Sequence, residues 1–357
     1  MPAFLGRIAA FLVLVILLHP FFFVIFRLMV FETLPRDSYE GYLLWIAGAP
    51  GGELPGSPFG YRLFSVVLAW PIFSILPPIR LSQMTAIDEF QVRAIGAMAA
   101  LSYFATLAAS VVAYAIAVDK CRLSRLEGVV AGVLLFALVW YTGIATLDPT
   151  TVLVVAVGIY IVDRPWLFAA LMLVSIGINE KVGFVLGSWL VARWLFVPTD
   201  RPRLSVQAAA TMAALGVYVA LVALIRLPGN EYQLDPAHYL GTATENIAAY
   251  ATSRGFMLNV LPTVVLAAIA LLSWRFAGRR TAEALFRPID ALAIPALLFA
   301  ALILTHLYQG GRIAMLTAPL FVVPAAAAIG GWSRRGAKTG GAAALSDDGA
   351  SHSPVGL

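Results

Sequence analysis

Long apolar runs separated by short polar segments recur along most of the chain. The first run, IAAFLVLVILLHPFFFVIF, lies between Arg7 and Arg27. A helix of about 20 apolar residues is long enough to cross the roughly 30 Å hydrocarbon core of a bilayer. The pattern therefore predicts ten membrane-spanning helices. They cover approximately residues 8–30, 94–118, 128–147, 149–162, 166–179, 182–197, 206–226, 258–274, 291–308 and 313–332.

The segment YRLFSVVLAWPIFSILPPIR, residues 61–80, does not fit this pattern, because Pro71 interrupts it and Pro77 and Pro78 follow. Apolar runs of about 14 residues are more often interfacial or re-entrant than spanning. If this segment does not cross and the N-terminus is cytoplasmic, most of the 24 Lys and Arg residues lie on the cytoplasmic side. The positive-inside rule favours that arrangement. The alternative is an outside N-terminus with a spanning segment 61–80, which places PRDSYE in the cytoplasm.

Composition agrees with a membrane protein. Of the 357 residues, 61% are hydrophobic and only 12% are charged, which excludes an ordinary soluble domain. We expect an all-α polytopic membrane protein with one transmembrane domain over residues 1–332. The first run has no small-residue cleavage site after it and predicts a retained signal anchor. The Gly-, Ala- and Ser-rich residues 333–357 predict a disordered cytoplasmic tail.

In the favoured topology, residues 31–93 form an external loop with juxtamembrane helices. Within DSYEGYLLWIAGA, Tyr39, Tyr42 and Leu43 share one helical face, as in a helix lying at the membrane surface. Asp37 followed by Glu40 has the spacing of an acidic capping box. Alternatively, Asp37 is a general base held at the boundary between water and lipid.

Three arginines on the predicted outer side are candidates for binding a phosphate: Arg62, Arg93 and Arg312. A guanidinium grips a phosphate through two donors at once. Arg93 opens the second span, and Arg312 follows two glycines, where backbone can approach a ligand closely. The competing interpretation is that all three are anchors at helix ends that reach to the lipid headgroups.

The segments LDPT and INEKVGF supply further outer-side candidates, namely Asp148, Glu180 and Lys181. Ionisable groups at or within a membrane are costly, so they are candidates for function. Glu180 and Lys181 could instead satisfy each other within a turn. Asp148 could simply cap a helix that begins with Pro149. The single cysteine, Cys121, excludes an internal disulfide, and the Cys and His spacing predicts no zinc site.

The order of these features resembles the GT-C superfamily of membrane glycosyltransferases, such as protein O-mannosyltransferases and aminoarabinose transferases, over approximately residues 1–332. The shared features are an acidic external loop after the first span, a proline-bounded juxtamembrane helix, VRAIGAMAALSYF opening the second span, LDP between short spans and a late Arg before APLF. Two features differ from the family. The familiar acidic pair is split into Asp37 and Glu40, and PFGYR replaces the usual PPL.

The resemblance implies that Asp37, with Glu40 nearby, is the catalytic base. It also implies that Arg93, Asp148 and Arg312 correspond to the family's groups that bind a polyprenyl-phosphate sugar. Arg62, Glu180 and Lys181 complete the predicted substrate-binding and phosphate-binding set. We expect no metal cofactor, although carboxylates gathered on one side offer ligands for a divalent cation.

The expected function is transfer of a sugar from a polyprenyl-phosphate-linked donor to an acceptor glycan, lipid or protein. The reaction would take place on the outer face of a bacterial cytoplasmic membrane, with both termini cytoplasmic and without a nucleic-acid partner. Two alternatives remain open. One is a transporter or flippase for a lipid-linked or small anionic substrate, and the other is a non-catalytic subunit in envelope assembly.

Overall fold

The computed structural model describes residues 12–17, 39–55, 59–77, 89–141, 148–196, 201–225 and 315–331, with a few single positions besides. Over these residues the chain is helical and contains no strand, which confirms the predicted all-α class. Asp37 and Arg312 lie outside the described residues. So do the tail and, apart from one residue, the predicted spans 258–274 and 291–308.

Nine α-helices of eight or more residues lie within the described ranges. They are α1 (Tyr39–Ile46), α2 (Leu63–Ile75), α3 (Glu89–Ala115), α4 (Arg125–Tyr141), α5 (Asp148–Tyr160), α6 (Pro165–Ile176), α7 (Lys181–Phe196), α8 (Arg201–Leu224) and α9 (Ala318–Gly331). A π-helical turn, Ile116–Lys120, continues α3. Pro149 and Pro165 lie in the first turns of α5 and α6, where a missing backbone N–H has no cost.

The helices α3 to α8 alternate in direction, which gives the bundle two distinct ends. At one end, Lys120 Nζ lies 2.7 Å from Asp163 Oδ2, which joins the turn after α3 to the turn after α5. We call this the Lys120 end. Near it, Gln207 at the start of α8 donates a hydrogen bond of 2.8 Å to the carbonyl of Val162. The opposite end contains Arg62 and is called the Arg62 end.

Helix α2 begins and ends at the Arg62 end. The Phe64 N–H donates to the carbonyl of Gly177, after α6, at 2.8 Å. At the other terminus of α2, Arg93 near the start of α3 donates to the carbonyl of Phe73 at 3.0 Å. Thirteen helical residues extend about 20 Å, less than the roughly 30 Å hydrocarbon core. This length is compatible with the favoured arrangement in which residues 61–80 do not cross, but α5 and α6 are equally short, so non-crossing stays a prediction.

Two GxxxG pairs allow neighbouring helices to pack closely. A Cβ added to Gly128 of α4 would lie 2.7 Å from a ring carbon of Tyr114, and one added to Gly132 would lie 3.0 Å from a carbonyl oxygen of α3. In α7, Gly183 and Gly187 face α8 in the same way. Small residues four positions apart form one flat stripe, and this stripe lets two helix backbones approach.

Two helices in the part of the chain that the structure describes are long and apolar enough to cross a membrane. They are Glu89–Lys120, which includes the π-helical turn, and Leu204–Leu224. They correspond to the predicted spans 94–118 and 206–226. The total of ten crossings stays a prediction.

Candidate functional site

The predicted site residues that the structure describes lie at the Arg62 end of the bundle. They are Glu40, Arg62, Arg93, Asp148, Glu180 and Lys181. Five of the six lie at a helix start. Asp148 and Lys181 are the first residues of α5 and α7, and Glu40 is the second residue of α1. Arg62 and Glu180 immediately precede α2 and α7. Arg93 lies in the second turn of α3. Since alternate helices begin at the same end of an antiparallel bundle, chain direction alone brings these residues to one end.

A buried cluster of Arg62, Tyr39 and Glu180 is the most fully defined part of this end. Arg62 Nε donates to Glu180 Oε2 at 3.0 Å, and Arg62 Nη2 donates to Glu180 Oε1. Arg62 Nη1 donates to the hydroxyl oxygen of Tyr39 at 2.8 Å. Two parallel N–H···O contacts between a guanidinium and a carboxylate are the strongest form of this ion pair. We call these three residues the Arg62 cluster.

The Arg62 cluster keeps both of its charged groups ionised despite burial. Arg62 is 5% exposed and Glu180 is 8% exposed. Burial alone would raise the pKa of Glu180, but the charge and hydrogen bonds of Arg62 hold it below the ordinary value. Burial would likewise lower the pKa of Arg62, whereas Glu180 and Tyr39 together raise it. The two residues therefore form a charged pair that stabilises itself.

Backbone contacts hold the same three elements together. Besides the Phe64 contact with Gly177, the hydroxyl of Ser65 donates to the carbonyl of Ile178 at 3.4 Å. The hydroxyl of Tyr42, in α1, donates to the carbonyl of Gly60 at 3.1 Å. Helices α1 and α2 and the turn before α7 thus form one connected unit. Its position depends on the Arg62 cluster at its centre.

The turn before α7 contains Asn179 next to Glu180 and Lys181. The side-chain oxygen Oδ1 of Asn179 accepts a hydrogen bond of 3.1 Å from the backbone N–H of Lys181, which is a local cap of the helix start. The Nδ2 group of Asn179 is buried and has no hydrogen-bond partner within the described structure. The sequence left open that Glu180 and Lys181 satisfy each other within the turn. Instead, Glu180 is bound to Arg62.

Arg93 closes the C-terminal end of α2. Its guanidinium donates to the carbonyls of Phe73 at 3.0 Å and Ser74 at 3.2 Å, and its central carbon lies 4.7 Å from the Phe73 ring centroid. A cation beside the last carbonyls of a helix is favourable, because those groups carry partial negative charge. In this conformation Arg93 fixes α2, and its predicted contact with a phosphate stays a prediction.

The remaining described candidates lie at helix starts. Asp148 is almost completely buried and is the first residue of α5, with Pro149 immediately after it, so the predicted helix start is confirmed and the capping role of Asp148 stays a prediction. Glu40 lies in the first turn of α1 and is partly exposed, and Lys181 is the first residue of α7. Across the described residues, no three His, Cys, Asp or Glu side chains are grouped so as to hold a metal ion.

The two arginines described at this end are bound to other groups of the protein, so they hold the helices in position in this conformation. The two arginines that were candidates for a phosphate, Arg62 and Arg93, donate to Glu180, Tyr39 and backbone carbonyls. Tyr39 was expected only to lie on an apolar face, and sequence reasoning missed its bond to Arg62. A tyrosine at the start of an interfacial helix was the available signal, but it does not identify a partner 23 residues away.

No protein family, curated protein or solved structure matches this chain.

Proposed function

We propose that the chain is a polytopic membrane glycosyltransferase of the GT-C type. It has about ten spans, and its site lies at the Arg62 end, facing outward. The observation that supports the proposal most directly is the path of α2. Both termini of α2 contact residues of the Arg62 end, Gly177 at one terminus and Arg93 at the other, as we expect of a juxtamembrane helix that does not cross.

A lipid-linked sugar presents its phosphate at the headgroup plane. An enzyme that uses it needs cations and a carboxylate at one boundary of the membrane, close to an apolar surface. The Arg62 end offers this combination. Its candidate residues Asp148 and Lys181 begin two of the bundle helices and Arg93 lies in the second turn of a third, while α2 carries exposed apolar side chains, including Leu68 and Trp70.

In this proposal Asp37 takes the proton from the acceptor hydroxyl as the sugar is displaced from the lipid phosphate. Glu40 follows three residues later in the sequence and lies in the first turn of α1. Lys181 and Arg312 stabilise the negative charge that builds on the departing phosphate. The Arg62 cluster acts as a positioning group, because Tyr39, two residues after Asp37 in the sequence, is bound to Arg62.

The distribution of buried polar groups favours an enzyme over a transporter. A transporter needs polar groups through the depth of the bundle that can turn toward a substrate. The buried hydroxyls of α3, Ser102, Thr106 and Ser110, each donate to the carbonyl four residues earlier, at 2.7–2.9 Å. They are satisfied within their own helix, and the buried charged residues that the structure describes, Arg62, Glu127, Asp148 and Glu180, lie near helix ends.

The test is release of free polyprenyl phosphate from synthetic undecaprenyl-phosphate mannose, glucose and aminoarabinose, measured by mass spectrometry with purified protein and a bacterial envelope extract that supplies the acceptor hydroxyl to which the sugar is transferred. We expect wild-type protein to release lipid phosphate from one donor. We expect Asp37→Asn to abolish release while expression and gel-filtration profile stay unchanged. Asp119→Asn makes the same chemical change at the Lys120 end and should keep near-normal activity. Normal turnover by Asp37→Asn would contradict the assignment.

A further inference from the structure

The Lys120 end carries exposed arginines beside large exposed apolar side chains. Arg122 and Arg125 are exposed in and after the turn that follows α3, and the next residue, Leu126, is 74% exposed. Arg164 is exposed immediately before α6, and Trp166 in the first turn of that helix is 80% exposed. We call these five residues the arginine surface.

An ion pair and a hydrogen bond place the two halves of this surface side by side. Lys120 is bound to Asp163 at 2.7 Å, and the hydroxyl of Tyr160 donates to Asp119 Oδ2 at 3.1 Å. Lys120 Nζ also lies 5.3 Å from the centroid of the Tyr160 ring. Since Arg122 is two residues after Lys120 and Arg164 is next to Asp163, the arginines belong to two turns that this ion pair joins.

In the part of this end that the structure describes, three carboxylates, those of Asp119, Glu127 and Asp163, each have a partner within the protein. Asp163 is bound to Lys120, and Asp119 accepts from Tyr160. Glu127 is buried, and its Oε2 accepts hydrogen bonds from the backbone N–H and the hydroxyl of Ser124 at 2.8 and 2.7 Å. The exposed charge that remains at the two turns is therefore that of the arginines.

The backbone that presents Arg122 is itself unusual. Arg122 has a φ of 55°, in the left-handed region that non-glycine residues seldom adopt, and it follows the π-helical turn Ile116–Lys120. Such conformations are kept only where the surroundings impose them, and they recur at functional sites. Here the turn that contains Arg122 connects α3 to α4, and the Arg122 side chain is exposed.

We propose that the arginine surface binds the headgroups of anionic phospholipids at the membrane boundary opposite the proposed transferase site. The guanidinium groups of Arg122, Arg125 and Arg164 bind lipid phosphates, for which their paired donors are suited. Leu126 and Trp166 pack at the boundary between headgroups and acyl chains, the position that indole rings favour. The inference rests on the membrane placement proposed above and is independent of the transferase activity.

The experiment compares lipid retention by wild-type protein and R122Q/R125Q/R164Q in a neutral detergent. Native mass spectrometry counts bound phosphatidylglycerol and phosphatidylcholine after both are added in equal amounts. We expect wild-type protein to retain phosphatidylglycerol preferentially and the triple variant to lose roughly tenfold or more of that affinity. Equal retention by both proteins would overturn the proposal.

Two further variants make the result specific. R122K/R125K/R164K keeps the charges and should keep most of the preference for phosphatidylglycerol. R80Q/R226Q/R254Q removes three charges on the opposite predicted side and should leave the preference unchanged; an equal loss in this variant would overturn the assignment to the arginine surface. If the triple glutamine variant fails to fold, R164Q alone should lower the affinity for phosphatidylglycerol about fivefold. An unchanged affinity in R164Q would count against the proposal.

Inorganic phosphate serves as a competitor that separates a lipid site from a site for a free anion. We compare millimolar phosphate with chloride at the same ionic strength. We expect lipid retention to be the same in both. Specific displacement by phosphate would assign a free-anion site instead. A chain that stays soluble and monodisperse without detergent would contradict the membrane placement itself, whatever the outcome of the transferase assay.

Discussion

Removing one partner of the Arg62–Glu180 pair should destabilise the protein strongly. Both side chains are less than a tenth exposed, so the remaining charge would stay buried without its partner. Loss of one member of such a pair costs about 3–5 kcal/mol. Arg62→Met keeps the length of the apolar side chain and leaves Glu180 without its cation. Glu180→Gln keeps the shape and leaves the guanidinium without its anion.

The matched control is the ion pair at the other end of the bundle. Lys120 and Asp163 lie 2.7 Å apart, but their side chains are 24% and 39% exposed. Exposed pairs of this kind contribute at most about 1 kcal/mol. Lys120→Met should therefore lower the stability far less than Arg62→Met, although both variants remove one cation from an ion pair.

The assay is the thermal midpoint of detergent-solubilised protein, followed by the height of its gel-filtration peak. With about 2 °C per kcal/mol for a chain of this size, Arg62→Met and Glu180→Gln should each lower the midpoint by about 6 °C or more. The double variant R62M/E180L should recover much of this loss, because neither charge remains buried. Losses in the two single variants that simply add in the double variant would refute the reasoning, as would losses no larger than that of Lys120→Met.

The lowered pKa of Glu180 also fixes the sign of the pH dependence. A carboxylate with a lowered folded-state pKa contributes stability that is present above its ordinary value of 4.5. That contribution is lost as the pH falls through the lowered folded-state pKa. The midpoint difference between wild-type protein and Glu180→Gln should therefore be largest near neutral pH and should shrink in acid. A difference that grows in acid would contradict the ionised pair.

Two further predictions concern packing and thiol chemistry. A Cβ at Gly128 would lie 2.7 Å from the Tyr114 ring, so Gly128→Ala should lower the free energy of unfolding by about 1–3 kcal/mol. A Cβ at Gly216 would meet open space, so Gly216→Ala should raise it by about 0.5–1 kcal/mol. Equal thermal midpoints for the two variants would contradict the close α3–α4 contact. Burial raises the pKa of Cys121 to about 12, so a maleimide at pH 8 should modify it only after denaturation in detergent such as dodecyl sulfate, and rapid labelling of the folded protein would contradict its burial.

The all-α class and several helices could be predicted from the sequence, because long apolar runs alternate with short polar segments. Asp148 and Pro149 begin a helix as expected, and residues 63–75 form a short helix that contains Pro71, whose predicted position at the membrane surface stays a prediction. Each of these features depends on residues that are neighbours in the sequence, so a local pattern is sufficient to indicate them.

The Arg62 cluster could not be predicted in the same way. Arg62 and Glu180 are 118 positions apart, and each is a single charge that could equally bind a headgroup, a substrate or another side chain. Only the packing of α2 across the turn after α6 brings them together. The GxxxG pairs in α4 and α7 were visible as spacing, but their partners depend on which helices become neighbours.

The claim that the Arg62 end faces outward is tested most directly by cysteine labelling in intact cells. In a chain with Cys121 replaced by alanine, single cysteines are placed at Ser38, at Pro50 near α1 and at Leu126 at the Lys120 end. A membrane-impermeant maleimide should label the cysteines at positions 38 and 50 in intact cells, and the cysteine at position 126 only after the cells are permeabilised. Labelling of position 126 in intact cells, with positions 38 and 50 protected, would contradict the account.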